Sequence, residues 1–143
     1  MEDTSLNWDF VQAIWVLLSV TFEEASPQFE PVGLGIKQMV FLAVLDKQST
    51  PRQLREMFAA PASTISNHIN ELEKKGLVVR DIHPTDRRQY ILRKTPAGQE
   101  ALTVGINAVN AKLAERSKTL SDEEREAFAV VQRVIARWVP SGN

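Results

Sequence analysis

Residues Ser63–Gly98, STISNHINELEKKGLVVRDIHPTDRRQYILRKTPAG, decide the fold. Ile65, Ile69 and Leu72 recur at the three- and four-residue steps of a buried helix face, and Lys74 and Lys75 suit the negative end of that helix. Gly76 can take the left-handed conformation that stops it. Leu77–Ile82 and Tyr90–Arg93, rich in branched and aromatic residues, read as two strands around the turn His83–Arg88. Thr95 caps the next helix and Pro96 begins it. A helix, a glycine stop and a charged hairpin in succession make a winged helix.

Upstream, Thr50 as N-cap, Pro51 at the first helical position and Gln53 closing a capping box predict a short helix to about Phe58, with Leu54 and Phe58 as core anchors. Only Ala59, Ala60 and Pro61 separate it from the helix of Ile65 and Ile69, which makes the pair a helix-turn-helix. That turn lacks the glycine often found there. Before it, Ile36, Val40 and Val44 with Phe41 and Leu45 predict a strongly apolar helix, followed by a turn over Asp46–Ser49.

The chain ends carry a different pattern. Trp8, Val11, Trp15, Leu18 and Phe22 form one helical stripe and Phe10, Ile14 and Leu17 a second, and Pro27, Pro31, Gly33 and Gly35 mark the loop that follows. Two apolar faces on one helix have two clients: the domain's own core, and a terminal helix of another subunit. Leu102, Ile106, Val109 and Leu113 line the fifth helix, and a capping box of Ser121 and Glu124 opens a sixth, lined by Phe128, Val131, Ile135 and Trp138 and ending before Pro140. The fold class is therefore mainly α with a small antiparallel hairpin: one winged helix-turn-helix domain over 1–143. Its reading lobe spans 34–98, and the helices of 1–30 and 99–143 form a dimerisation lobe. Trp8, Val11, Trp15, Phe128, Val131, Ile135 and Trp138 are the candidate dimer contacts.

The 143 residues contain no cysteine, which removes disulfide scaffolds, thiolate nucleophiles and cysteine zinc sites. The acidic opening MEDTSLNWDF is unlike a secretory signal and no apolar run is long enough to span a bilayer, so a soluble cytoplasmic protein without a membrane partner is expected. Net charge is −1, but from Pro51 to Gln99 nine basic residues face five acidic ones. A basic middle on an acidic body supplies the local positive charge that phosphate neutralisation requires.

With Ile65, Ile69 and Leu72 inward, Ser63, Thr64, Ser66, Asn67, His68 and Glu71 are left on the polar face of the fourth helix, where hydroxyl, amide and imidazole groups suit base edges or phosphates. An ordinary solvated face is the competing reading. The hairpin shifts the balance, because solubility does not require the adjacent Arg87 and Arg88 at its tip, and an arginine gains from the potential of a narrow minor groove. Asp86 could hold Arg88 through a charge-assisted bond. Arg52 completes the candidate DNA contacts. No phosphate-binding glycine loop, metal-ligand cluster or nucleophile with a base partner is evident, so neither an enzyme nor a cofactor is expected.

Leu72–Arg80 (LEKKGLVVR), Pro84–Arg88 (PTDRR) and Lys94–Gly98 (KTPAG) together resemble the MarR (multiple antibiotic resistance regulator) family of winged helix-turn-helix repressors. The resemblance implies that Ala62–Lys75 is the recognition helix, that Asp86 and Arg88 are the family's Asp-x-Arg wing pair, and that the first and last helices interleave in a homodimer. It implies double-stranded DNA with a near-palindromic operator as partner. It also implies a ligand cleft between the lobes involving the first, second and fifth helices. Without cysteine, and with histidines only at 68 and 83, thiol and metal sensing fit poorly, which leaves room for a small apolar or aromatic effector. The alternative function is a winged-helix protein-interaction module, or an antagonist that does not bind DNA; such a protein needs no arginine tip.

Overall fold

Six helices and one two-stranded antiparallel sheet follow one another in the order α1 (Trp8–Phe29), a 3-10 turn (Glu30–Val32), α2 (Ile36–Val44), α3 (Pro51–Phe58), α4 (Ala62–Lys74), β1 (Val78–Ile82), β2 (Tyr90–Lys94), α5 (Pro96–Ser117) and α6 (Asp122–Trp138). The computed structural model describes residues 6–45 and 49–139; the turn expected over Asp46–Ser49 lies, apart from Ser49, outside them, as does Pro140. The mainly helical winged architecture expected from the sequence is the one observed.

Several local signals act as their chemistry requires. The Thr50 hydroxyl accepts the Gln53 N–H at 3.2 Å while Gln53 Oε1 accepts the Thr50 N–H at 3.1 Å, so α3 opens on a closed capping box. Ser121 and Glu124 repeat the device at α6. β1 and β2 pair from Val78 with Lys94 to Ile82 with Tyr90, and the Leu92 N–H reaches past the hairpin to the Ser49 carbonyl at 2.6 Å.

The junction of α4, β1 and α5 explains the run Thr95–Gly98. The Thr95 hydroxyl donates to the Gly76 carbonyl at 2.6 Å and accepts the Gly98 N–H at 3.0 Å, while the Thr95 N–H donates to the Leu77 carbonyl at 3.0 Å. A side-chain carbon at Gly98 would collide with that same Leu77 carbonyl, so glycine is the residue that lets α5 start against the chain leaving α4.

The core joins α4 to everything around it. Ile65, Ile69 and Leu72 are buried, as expected, with Phe41, Leu42, Leu54, Val78 and Leu92. Burying each of these three side chains contributes about 2–3 kcal/mol.

The terminal helices differ from expectation in three ways. First, α1 does not end before Pro27 but continues through it to Phe29. Proline cannot donate to the Glu23 carbonyl, and the Ser26 hydroxyl takes that carbonyl instead at 2.9 Å. The buried residues of α1 are Thr21, Ala25 and Phe29, in the segment expected to be leaving the helix, whereas Trp8, Val11, Trp15 and Leu18 stand exposed. Second, α5 buries Ala101, Leu102, Gly105 and Ala108, while Ile106 and Leu113 stay outside. Small residues permit the close crossing of α1 and α5, which displaces the larger ones from the seam. Third, Ile36 and Val40 of α2 are exposed, and Met39, Phe41 and Leu42 supply its buried face.

The helix-turn-helix carries backbone strain. Ala59 closes α3 at φ +47°, in the left-handed region that costs a residue with a side chain about 1–2 kcal/mol. Ala59→Gly should release more than the added freedom of glycine in the unfolded chain takes back, about 0.4–1 kcal/mol. The expected result is a Tm higher by about 2 °C in calorimetry; an unchanged or lower Tm would contradict the strain.

Candidate nucleic-acid interface

The outward face of α4 is built from what its buried stripe leaves over. Ser63, Thr64, Ser66 and Asn67 are exposed, and α4 starts after Pro61 with no side-chain cap. The N–H groups of its first turn are therefore left for solvent or an anion. Asn70, one turn further on, is engaged: its Oδ1 accepts from Arg80 Nη2 at 2.8 Å.

Arg80 is the rivet between helix and wing. Its Nε also pairs with Glu73 at 3.2 Å, and its guanidinium lies 4.7 Å from the centre of the Tyr90 ring. One side chain thus fixes β1 and β2 against the last turns of α4. Across the hairpin, Arg93 Nε meets Asp81 Oδ2 at 2.7 Å, and that bond with the carboxylate's charge raises the Arg93 pKa above its ordinary value.

The wing turn is shaped by His83 and Asp86. The His83 Nδ1 accepts the N–H groups of Thr85 at 3.3 Å and Asp86 at 3.2 Å, which requires that nitrogen to be unprotonated. Asp86 Oδ1 accepts the Arg88 backbone N–H at 3.0 Å, and its Oδ2 accepts from Gln89 Nε2 at 3.0 Å. The expected bond from Asp86 to the Arg88 guanidinium is replaced by a bond to the Arg88 backbone, because the carboxylate is folded into the turn it closes. The side chains of Arg87 and Arg88 project exposed, with neither a hydrogen bond nor an ion pair among the described residues.

Six of the nine basic residues counted in the sequence are thereby sorted. Arg80 and Arg93 hold the hairpin, Lys75 donates to the Gly33 carbonyl and to Gln38, and Arg52 pairs with Glu56 at 3.1 Å on the exposed side of α3. What stays uncommitted at the wing is the pair Arg87 and Arg88. An exposed pair such as Arg52 with Glu56 exchanges readily with solvent or another anion.

His68 departs from the polar face expected of it. Its ring lies 5.8 Å from that of Phe41, and its Nδ1 is buried with no hydrogen-bond partner. It lines a groove of about 380 Å³ between α1, α2, α3 and α4, with Trp15, Ile36, Val40, Phe41 and Phe58 as apolar walls and Lys37 and Thr64 also lining it. α4 therefore forms one wall of an interlobe cleft. The family resemblance places that cleft among the first, second and fifth helices, but α3 and α4 line it in place of α5. The spacing of Thr64 and His68 carries the missed signal, since residues four apart share one side of a helix.

The expected dimer contacts are outward-facing. Trp8 and Trp15 are 74% and 71% exposed, Phe128 and Trp138 58% and 59%, and α6 has no buried residue at all. Val11 and Val131 are also exposed, and Ile135 is half-buried. Among the described residues, no helix is long and apolar enough to cross a membrane.

Comparison with known proteins gives the same outline. Residues 33–89, the segment from the start of α2 to the wing, match the model of the MarR family. A candidate transcriptional regulatory protein for the hcr operon of Thauera aromatica is 49% identical over 63 residues, which is 44% of this chain and 38% of that protein. The solved structure of a MarR family transcription regulator superposes with a TM-score of 0.74 at 26% identity, covering 92% of this chain and 88% of that one. The transcriptional repressor CouR, solved bound to a 23-mer DNA duplex, superposes with a TM-score of 0.69 at 25% identity over 87% of this chain and 89% of its own. The sequence pattern of residues 33–89 is thus that of the MarR family, and the architecture along the rest of the chain is similar to that of a solved MarR family regulator.

Proposed function

We propose that the protein is a homodimeric, sequence-specific DNA-binding transcriptional repressor, not an enzyme. The observation that carries this reading is the juxtaposition of an uncommitted polar face on α4 with two unpaired arginines on a wing that Arg80 rivets to the same helix. Ser63, Ser66 and Asn67 would meet base edges in the major groove, and Arg87 and Arg88 the adjacent minor groove. Thr64 stands at the margin of that face, and Arg52 would exchange Glu56 for a phosphate. Asp86 acts by shaping the turn. DNA-bound CouR among the similar structures supports the reading.

The exposed apolar residues of α1 and α6 support a homodimer, since a 17-residue helix with no fully buried residue and with Phe128, Val131 and Trp138 exposed needs a partner to cover it. Two recognition helices related by a two-fold axis read half-sites about one helical turn apart. A dimer seated across a promoter represses by occlusion.

The apolar groove beside α4 supports release by a small apolar or aromatic effector, because a molecule seated there presses directly on the helix that would read DNA. The unpartnered His68 Nδ1 gives such a molecule one polar group to satisfy.

Two outcomes are expected. In a salt titration with a fragment from its own promoter region, the wild type should bind with two chains per operator. Arg88→Ala should weaken binding and reduce the magnitude of the slope of log K against log salt by about 0.9, the loss of one phosphate contact; an unaltered slope would contradict the wing assignment. In a Trp8→Phe/Trp138→Phe background, a panel of small aromatic molecules should include one that quenches Trp15 emission and also releases the operator. Quenching without any release would contradict effector control.

A further inference from the structure

Besides its buried stripe and its outward face, α4 has a third side. Thr64, His68, Glu71 and Lys75 follow at steps of four, three and four along the flank that meets α2. Its two halves are treated differently. At the upper half, His68 borders the open groove with its Nδ1 unsatisfied. At the lower half, a single amide from α2 gathers every polar group within reach.

That amide belongs to Gln38. Its Nε2 donates to Glu71 Oε2 at 2.8 Å, while its Oε1 accepts from Lys75 Nζ at 3.1 Å and from the Gly35 N–H at 3.2 Å. Lys75 Nζ also donates to the Gly33 carbonyl, in the turn between α1 and α2. The last turn of α4 is thus tied to the corner that joins the terminal-helix lobe to the winged helix. Three of these four bonds involve an ionised group, the stronger kind.

Glu71 has no reason to be acidic on electrostatic grounds. It is a carboxylate on a helix read as approaching phosphates, where negative charge opposes binding. We infer that Gln38, Glu71 and Lys75 form a clasp that sets the pose of α4, so that the α1–α2 corner fixes the angle at which Ser63, Ser66 and Asn67 meet DNA. Glu71 is then a positioning residue: its acceptor oxygen holds Gln38, and its charge is tolerated for that bond. The inference rests on the DNA-binding reading above.

Charge and clasp predict opposite signs for the same substitution. Glu71→Ala removes a repulsive charge and breaks the clasp without touching the Gly35 cap of α2. Glu71→Gln removes the same charge but keeps an oxygen for Gln38 Nε2. In fluorescence anisotropy with the operator, Glu71→Ala should bind three- to tenfold more weakly than wild type with an unchanged salt slope. Glu71→Gln should bind as tightly as wild type or more tightly. If both variants tighten binding alike, or both weaken it alike, the clasp is overturned.

A second readout needs no DNA. Because the chain has no cysteine, spin labels at Asn67→Cys and Asn107→Cys, diluted with unlabelled chain, report the distance from α4 to α5. Glu71→Ala should broaden that distance distribution and Glu71→Gln should leave it narrow; an unbroadened distribution in Glu71→Ala overturns the clasp. A wild type that retains no DNA would defeat the functional reading instead, and the distances would still decide the clasp.

Discussion

Everything that could read DNA in this protein depends on the burial of one face of α4. Ile65, Ile69 and Leu72 are sunk in a core drawn from α2, α3, β1 and β2, and that seating decides which side chains of the helix remain outside. Truncating one of them to alanine costs about 2–5 kcal/mol, a large share of the stability of a domain this size. The remaining devices refine a pose already fixed by packing. Arg80 rivets the wing to the helix, Thr95 and Gly98 bring α5 against the end of α4, and Gln38 ties that end to the corner behind it.

The same seating gives α4 three neighbours with different demands. Its outward face is polar and uncommitted, its core face apolar and closed, and its α2 flank half clasped and half open. A helix in that position is mechanically connected to the groove beside it. A group entering near His68 would push on the same rigid rod that Glu71 and Lys75 hold at the other end. Coupling between the groove and the outward face then needs no relay of distant residues.

The winged helix was legible because its signals are local. A capping box at Thr50, the glycine after Lys75 and the run Thr95–Gly98 each specify a backbone event within a few residues, and each occurs where it was read. The terminal helices were less legible because their burial depends on who packs against them. The buried residues where α1 and α5 pack into the core include Ala25, Ala101 and Ala108, with Gly105 against Met39 of α2, residues too small to register as an apolar stripe. The large side chains that did register are those the chain leaves exposed. Pro27 misled because its lost bond is replaced by a hydroxyl from the preceding residue. At the interface, the inventory of charges was legible but their engagements were not: Arg80 and Arg93 serve the hairpin, and His68 turns toward Phe41 because its neighbour Ile69 occupies the centre of the buried stripe.

On the proposed reading, two copies of this wing straddle an operator, each beside the major groove its own α4 occupies. The most direct test attaches a DNA-cleaving iron chelate to the single cysteine of Arg87→Cys, in a chain that otherwise has none, and maps strand scission on the bound promoter fragment. Two cleavage clusters placed symmetrically about the operator centre, each in a minor groove flanking a protected major groove, are predicted. A single cluster, or scission spread evenly along the fragment, would contradict the claim.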